Sequence, residues 1–295
     1  MTPFTIMTFN IQGAYYNAGI NIWDNRAALN VRTIQKHAPD LIGFQELQEG
    51  NRAYYAEHLP GYAYQLGPLV ARENDSGSGY HCAIYWRPER FQLLEGGFFY
   101  LNETPDAYAL NWGVTQGRGM NWVRLMDKQS GITFLYMNTH LPHDSEEGRV
   151  KAAALILERA PELYKHTLPV IMTADFNTRA APLQEAWIAD MPEDAQKELR
   201  ERAYLWDNVV YRTFLEGGFR DTGEGYYSPD DPGTNTFHGM KGAEYPQFGM
   251  RIDWILVRDG ENGAFHVHDT QIVRDAEPPI YTSDHYPVVA QLELK

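Results

Sequence analysis

Five short polar clusters stand where apolar, strand-like runs end or are interrupted, and they are scattered from position 10 to position 285 of a 295-residue chain. They are Asn10 in M-T-F-N-I-Q, Glu46 in L-I-G-F-Q-E, Asp175 and Asn177 in V-I-M-T-A-D-F-N, Asp253 in R-I-D-W-I-L-V, and Asp284-His285 in T-S-D-H-Y-P-V-V. His140 in L-Y-M-N-T-H-L belongs with them. An unpartnered carboxylate inside a sheet costs several kcal/mol. Carboxylates so placed share a cation or hold one another's protons. The strand ends from both halves of the chain must therefore meet, and no cut leaves a complete site on either side. The expectation is a single domain over residues 1–295.

Acid, amide and imidazole donors without a thiolate suit a hard, oxygen-preferring cation, Mg²⁺ or Mn²⁺, and point to metal-assisted hydrolysis. Cys82 is the sole cysteine, so no internal disulfide can form, and in H-C-A-I-Y-W it reads as a packing residue of a strand. No basic segment or cleavage site precedes the first strand, and no apolar run reaches the ~20 residues of a bilayer span. The chain is therefore expected in the cytoplasm, or outside the cell if an export signal has been removed. Its net charge is −14, from 25 basic and 39 acidic residues, and it has no Lys/Arg run. Binding to long duplex DNA rests on many phosphate contacts by basic side chains, so that class of partner is disfavoured.

Strand-like and helix-like stretches alternate. Residues 4–10 and 41–46 read as buried strands, and between them 26–38 carries apolar residues at helical spacing until Pro39 stops it. Residues 82–87 and 91–100 read as paired strands about the Arg87-Pro88-Glu89 turn, and 120–127 with 131–139 as a hairpin about Gln129-Ser130-Gly131. Asp144 is expected to cap a helix running to about Pro161, with Glu147 in capping-box register. Strands return at 168–174, 251–257, 264–273 and 287–294, residues 182–215 look helical, and 223–249 read as loops over the site. Hairpins mixed with α/β crossovers suggest two packed sheets with helices outside, an α/β (α+β) sandwich.

Asp175 and Asn177 leave their strand at i and i+2, on one side of the chain. There the carboxylate can take a proton from water while the amide fixes a phosphate oxygen; an Asx-turn explains the pair equally well in isolation. His285 is the proton-transfer candidate, with Asp253 from another strand fixing its tautomer and Asp284 left for metal. Glu46 after a largely apolar run must meet a charge or emerge at a sheet edge. Arg118, between glycines in Q-G-R-G-M, can clamp a phosphate oxygen or lie solvated in a turn. Singly each residue has an ordinary structural explanation; together they contain every part needed for phosphoester hydrolysis.

The order and local context of N-I-Q, Q-E, N-T-H-L, D-F-N, R-I-D-W-I and S-D-H-Y-P-V resemble the endonuclease/exonuclease/phosphatase superfamily over essentially the whole chain. S-E-E-G-R, L-N-E-T-P and T-F-H-G look like a bacterial subgroup. The resemblance implies a DNase I-like, four-layer sandwich of two mixed sheets flanked by helices. It also implies metal at Glu46, completed by Asn10 and Asp284, and catalysis by His140, Asp175, Asn177, Asp253 and His285. Arg118, Asn177, His143 and His238 are the candidates for holding substrate. The expected partner is a phosphoester, either a small molecule or a single-stranded nucleic acid, with Trp112, Trp187 and Trp206 as exposed aromatics near it. A nuclease acting on DNA or RNA is the alternative within the class, and a binding domain that has lost catalysis is the alternative outside it.

Overall fold

The computed structural model describes residues 2–72, 75–202, 205–228 and 231–295. Along the chain, β1 (Phe4–Asn10), α1 (Trp23–His37), β2 (Leu41–Leu47), α2 (Glu49–His58), β3 (Ala63–Leu66), β4 (Val70–Arg72) and β5 (Asp75–Trp86) come first. Then follow β6 (Phe91–Tyr100), β7 (Gly119–Asp127), β8 (Thr133–His140), α3 (Glu146–Leu163) and β9 (Val170–Asp175). Three short helices, α4 (Glu185–Ile188), α5 (Glu193–Glu201) and α6 (Val209–Glu216), lead to β10 (Arg220–Asp221) and β11 (Asp253–Arg258). The chain closes with β12 (Phe265–Ile272), β13 (Ala276–Glu277), β14 (Ile280–Tyr281) and β15 (Val288–Leu294).

One mixed sheet has the order β12-β15-β1-β2-β5-β3, with β4 on β5, and the other has the order β10-β11-β9-β8-β7-β6. Period-two alternation sorts each strand's residues between two faces. In β1, Phe4 and Ile6 face the second sheet, whereas Met7 and Phe9 face α1 and α2 together with Trp23, Val31 and Tyr55. In β9, Ile171 lies between the sheets, while Val170, Met172 and Ala174 pack under α3 and α6 against Ala153, Ile156 and Phe214. The layers are therefore helix, sheet, sheet, helix. Helix α1 ends on Ala38 in the left-handed conformation, with its N–H on the Ile34 carbonyl, as expected just before Pro39.

Three local expectations are corrected. Strands β5 and β6 do not pair, because the 87–89 turn carries the chain from the first sheet to the second, where β6 pairs with β7. Ser145 caps α3 by accepting from the Gly148 N–H, while Asp144 accepts hydrogen bonds from the Thr115 N–H and hydroxyl. Residues 182–215, read as helical, are helical among the described residues only in the short pieces α4, α5 and α6. Among the described residues, no helix is long and apolar enough to cross a membrane.

Candidate active site

Register assembles the site. Parallel β8 and antiparallel β11 flank β9 so that His140 and Asp253 both stand beside Asp175. In the first sheet β1 runs parallel to β2, with Asn10 beside Gln45, and antiparallel to β15, which follows the Asp284-His285 loop. By alternation, Asn10 shares the inter-sheet face with Ile6, His140 with Tyr136, Asp175 with Ile171, and Asp253 with Ile255. Asn10, His140 and Asp175 emerge at one end of the sandwich, into a cavity of about 500 Å³ that Glu46, Asn177, Asp284 and His285 also line, with Asp253 behind His285.

Glu46 arrives there by a bulge. Phe44 to Leu47 on β2 opposes Ala83 to His81 on β5, one residue too many, and Glu46 takes φ 62°. In a regular strand it would share the helix-facing side of Phe44, so the extra residue re-aims it. Asn177 and Gln12 also hold left-handed backbone, each at φ 48°. Non-glycine residues kept in that region carry local strain and cluster at functional sites.

His285 Nδ1 donates to Asp253 Oδ2 at 2.9 Å, and its Nε2 lies 3.7 Å from Asp175 Oδ2. The Asn10 amide nitrogen donates to Asp175 Oδ2 at 2.9 Å and lies 3.5 Å from Glu46 Oε1. Asn177 donates through its amide to His140 Nε2 at 2.8 Å and to the Leu141 carbonyl at 2.9 Å. Arg118 is buried, donating to the Tyr80 hydroxyl and meeting His143 Nδ1 at 3.0 Å. Among the described residues its Nε has no partner and no carboxylate forms an ion pair with it.

Burial and the adjacent Asp253 push the Asp175 carboxyl up to about 7, against the pull of His285 and the Asn10 amide. Burial works against a charged His285, but Asp253 and Asp175 outweigh it and raise its pKa well above the ordinary histidine value. Burial, reinforced by Arg118, keeps His140 far below that value and therefore neutral. Burial and then Asp284 raise the Glu46 carboxyl. One side of the cavity is thus a hydrogen-bonded acid–imidazole system, and another holds two carboxylates that repel each other.

The expected residues Asn10, Glu46, Arg118, His140, His143, Asp175, Asn177, Asp284 and His285 all line the cavity, and Asp253 stands behind His285. His238 is a correction. It is buried outside the cavity lining, stacked on Tyr286 and accepting from the Gly242 N–H, and burial and then His285 push its pKa down to about 3. Trp112, Trp187 and Trp206 are corrected too: all three are half-buried against apolar clusters, and none lines the cavity. Several contributors were missed by the sequence reading. Gln12 donates to Asp284 Oδ2 at 3.1 Å, and Tyr80 joins Arg118 to His140 Nδ1. Arg26 on α1 binds the carbonyls of Ile11 and Thr282 and so ties together the segments carrying Asn10 and Asp284. The parity of Tyr80 with Ile84 and Trp86 was a usable signal; nothing local marks Gln12 or Arg26.

A divalent cation fits the oxygen donors of Glu46 and Asp284. Among the described residues the Glu46 carboxylate has only the long Asn10 contact and a 3.9 Å approach to His140, and a cation would relieve its repulsion from Asp284. Asn10 presents its amide nitrogen to the carboxylates while its Oδ1 accepts from the Gln12 N–H, so it braces the acids in this arrangement. Among the described residues, Asp175, Asp253 and His285 also form a buried group with ligand atoms within 4.8 Å of one another. There the Asp253–His285 hydrogen bond already occupies the facing atoms.

The sequence profile of the Endonuclease/Exonuclease/phosphatase family matches residues 7–285. A mannosyl-6-phosphatase from Bacteroides thetaiotaomicron is 27% identical, with 99% of each chain covered and a TM-score of 0.76. An endonuclease/exonuclease/phosphatase family protein from the same organism is 26% identical over 99% of this chain and 95% of its own, with a TM-score of 0.74. An uncharacterized protein of Acanthamoeba polyphaga mimivirus is 26% identical over 53% of this chain, and the match spans 59% of that protein's length. The chain belongs to the endonuclease/exonuclease/phosphatase family, and its sandwich is the DNase I-like fold of that family.

Proposed function

We propose that this member of the endonuclease/exonuclease/phosphatase family hydrolyses phosphoester bonds, acting as one domain with Mg²⁺ or Mn²⁺ held by Glu46 and Asp284 and braced through Asn10. The observation that carries the reading is the His140–Asp175–Asp253 row with His285 bonded to its end, facing Glu46 and Asp284 across the same cavity. The bound cation supplies Lewis-acid polarisation of the phosphoryl group and neutralises charge on the leaving oxygen. Asp175, positioned by Asn10, takes the proton of the attacking water as its oxygen bonds to phosphorus. The bond from phosphorus to the ester oxygen breaks, and His285, oriented by Asp253, returns a proton to that oxygen. The Arg118 guanidinium holds the non-bridging oxygens, oriented by His143, while neutral His140, engaged by Asn177 and the Tyr80 hydroxyl, braces the wall beside Asp175.

A compact phosphorylated molecule is the favoured substrate. A cavity of about 500 Å³ is of small-ligand size. The net charge of −14 disfavours a long polyanion, and the similar Bacteroides protein is a mannosyl-6-phosphatase. The test is turnover of p-nitrophenyl phosphate and bis-(p-nitrophenyl) phosphate with Mg²⁺, with EDTA, and after Mg²⁺ is restored. Activity that EDTA abolishes and Mg²⁺ restores is expected, and the ratio of the two substrates separates monoesterase from diesterase. Calorimetric titration of Glu46→Gln should show weakened Mg²⁺ binding. No metal-dependent turnover of either ester would sink the reading.

A further inference from the structure

Beside the catalytic cavity lies a second, open depression of about 670 Å³, lined by Leu69, Ala71, Tyr100, Tyr108 and Leu110, with Arg72 lining both. Its side chains are aliphatic and aromatic apart from that shared arginine. Leu69 is 57% and Tyr108 42% exposed, so apolar surface stands in water directly next to a polar site. The depression is built on the segment that carries Arg118. Gly117, between Gln116 and Arg118 of the catalytic cavity, lies so close beneath Tyr108 that a Cβ there would meet the ring at 2.3 Å. The Tyr108 hydroxyl donates to the Ala71 carbonyl and accepts from the Gly117 N–H, and the ring stands edge-on to Tyr100 with centroids 5.6 Å apart. An isolated bridge pairs Arg72 with Gln116. The two depressions therefore share a wall and a floor.

We infer that this shelf binds an apolar substituent of the same substrate molecule whose phosphate sits in the catalytic cavity, so that the preferred substrate is an amphiphilic phosphoester. The inference rests on the hydrolase reading and names its substrate class. A phosphate held near Arg118 directs its substituent past Arg72 onto Leu69 and the tyrosine pair. The Tyr108 hydroxyl is engaged by backbone, so the shelf favours hydrocarbon over a hydroxyl-rich group. An alkyl or acyl chain and an aryl ring share this chemistry, and the experiment separates them.

The experiment is calorimetric titration of the full chain, with Mg²⁺, against n-alkylphosphonates from methyl to octyl and against phenyl- and naphthylphosphonate. Turnover of the corresponding phosphate esters is measured in parallel. Affinity is expected to rise about twofold per methylene until the shelf is covered, half the free-energy increment of complete burial. A steeper gain for the aryl pair than for alkyl groups of equal size would identify the ring as the source. Leu69→Ser, and separately Leu110→Ser, should flatten the ratio of octyl to methyl affinity, while Leu94→Ser, elsewhere on β6, keeps it. A flat wild-type ladder, or a rising one that neither shelf variant changes, overturns the inference. A flat ladder with metal-dependent turnover sinks the shelf alone, whereas a rising ladder without turnover sinks the hydrolase reading alone.

Discussion

Two polar layers lie one above the other between the sheets, and they are built on opposite principles. The lower layer is neutral: Thr8, Gln45, Asn138, Thr173 and Tyr136 are all fully buried. Asn138 donates to the Phe44 and Ala83 carbonyls and accepts from Gln45 and Thr173, and Thr173 meets the Tyr136 hydroxyl at 3.1 Å. The upper layer brings carboxylates and imidazoles together, and four of its members stand above a lower one on the same strand. Asn10 follows Thr8, His140 follows Asn138 and Asp175 follows Thr173 by two residues, while Glu46 follows Gln45 through the bulge. The lower layer sets its donors against acceptors, leaves Gln45 Oε1 as its one unpartnered atom among the described residues, and carries no charge. The upper layer sets Glu46 against Asp284, leaves Arg118 Nε without a partner among the described residues, and so keeps capacity for a cation and a phosphate. A satisfied network rigidifies, whereas an unsatisfied one is poised to bind.

Removing the Asp175 carboxylate breaks this comparison most directly. Asp175→Asn should lower turnover by about 10²–10⁴-fold, the range for a positioned base, with the thermal midpoint held or raised. Turnover within a few-fold of wild type would remove Asp175 from its assigned role. In the same layer, His285→Ala should lose roughly 10²-fold or more, with Asp253→Asn reproducing much of that. The double variant should fall well short of the product of the two losses, because the pair acts as a unit. Multiplicative losses in the cycle would mean that no dyad exists.

The lower layer should respond in stability instead. A Cβ on Gly43 would sit 2.0 Å from Thr173 Oγ1 and 2.8 Å from Asn138 Oδ1. Gly43→Ala should therefore cost about 1–3 kcal/mol in chemical denaturation while metal-dependent turnover stays within a few-fold. An unchanged midpoint would show that this layer is slack.

The smallest effect sharpens the contrast through pH. The Asp175 carboxyl is raised to about 7 from the ordinary aspartate value of about 4. The folded state thus holds a proton that the unfolded state has lost between those values. That contribution to stability is complete below about 4 and disappears as pH rises through about 7. Asp175→Asn, melted in EDTA, should accordingly gain more thermal stability at pH 8 than at pH 4. Equal gains at both would place the carboxylate in a less desolvated setting.

The motifs themselves were legible because each is local: an apolar strand followed by a polar residue shows in any short window. Even the pairing of His285 with Asp253 could be anticipated, since an imidazole among acids needs a partner to fix its tautomer. Misplaced residues are those whose environment is non-local. His238 has the same chemistry as His140, but the Tyr286 ring and the Gly242 N–H hold it outside the cavity. Three tryptophans read as exposed because their covering side chains come from distant segments, as Phe248 does in the cluster flanked by Trp187. The 87–89 turn looked like a hairpin because a turn signal does not say whether the next strand stays in the same sheet.

The sequence by itself determined which chemistry is present and at which strand ends, because side-chain donors and two-residue alternation are properties of the chain alone. Tertiary structure decided the rest. Cross-strand register put His140 and Asp253 on either side of Asp175, an unmatched residue opposite β5 turned Glu46 from the helix face to the cavity, and Arg26 tied the first and last site segments together. Each depends on which backbone groups of remote strands find one another, and that pairing is set by the burial of whole sheet faces, which no short window of sequence encodes.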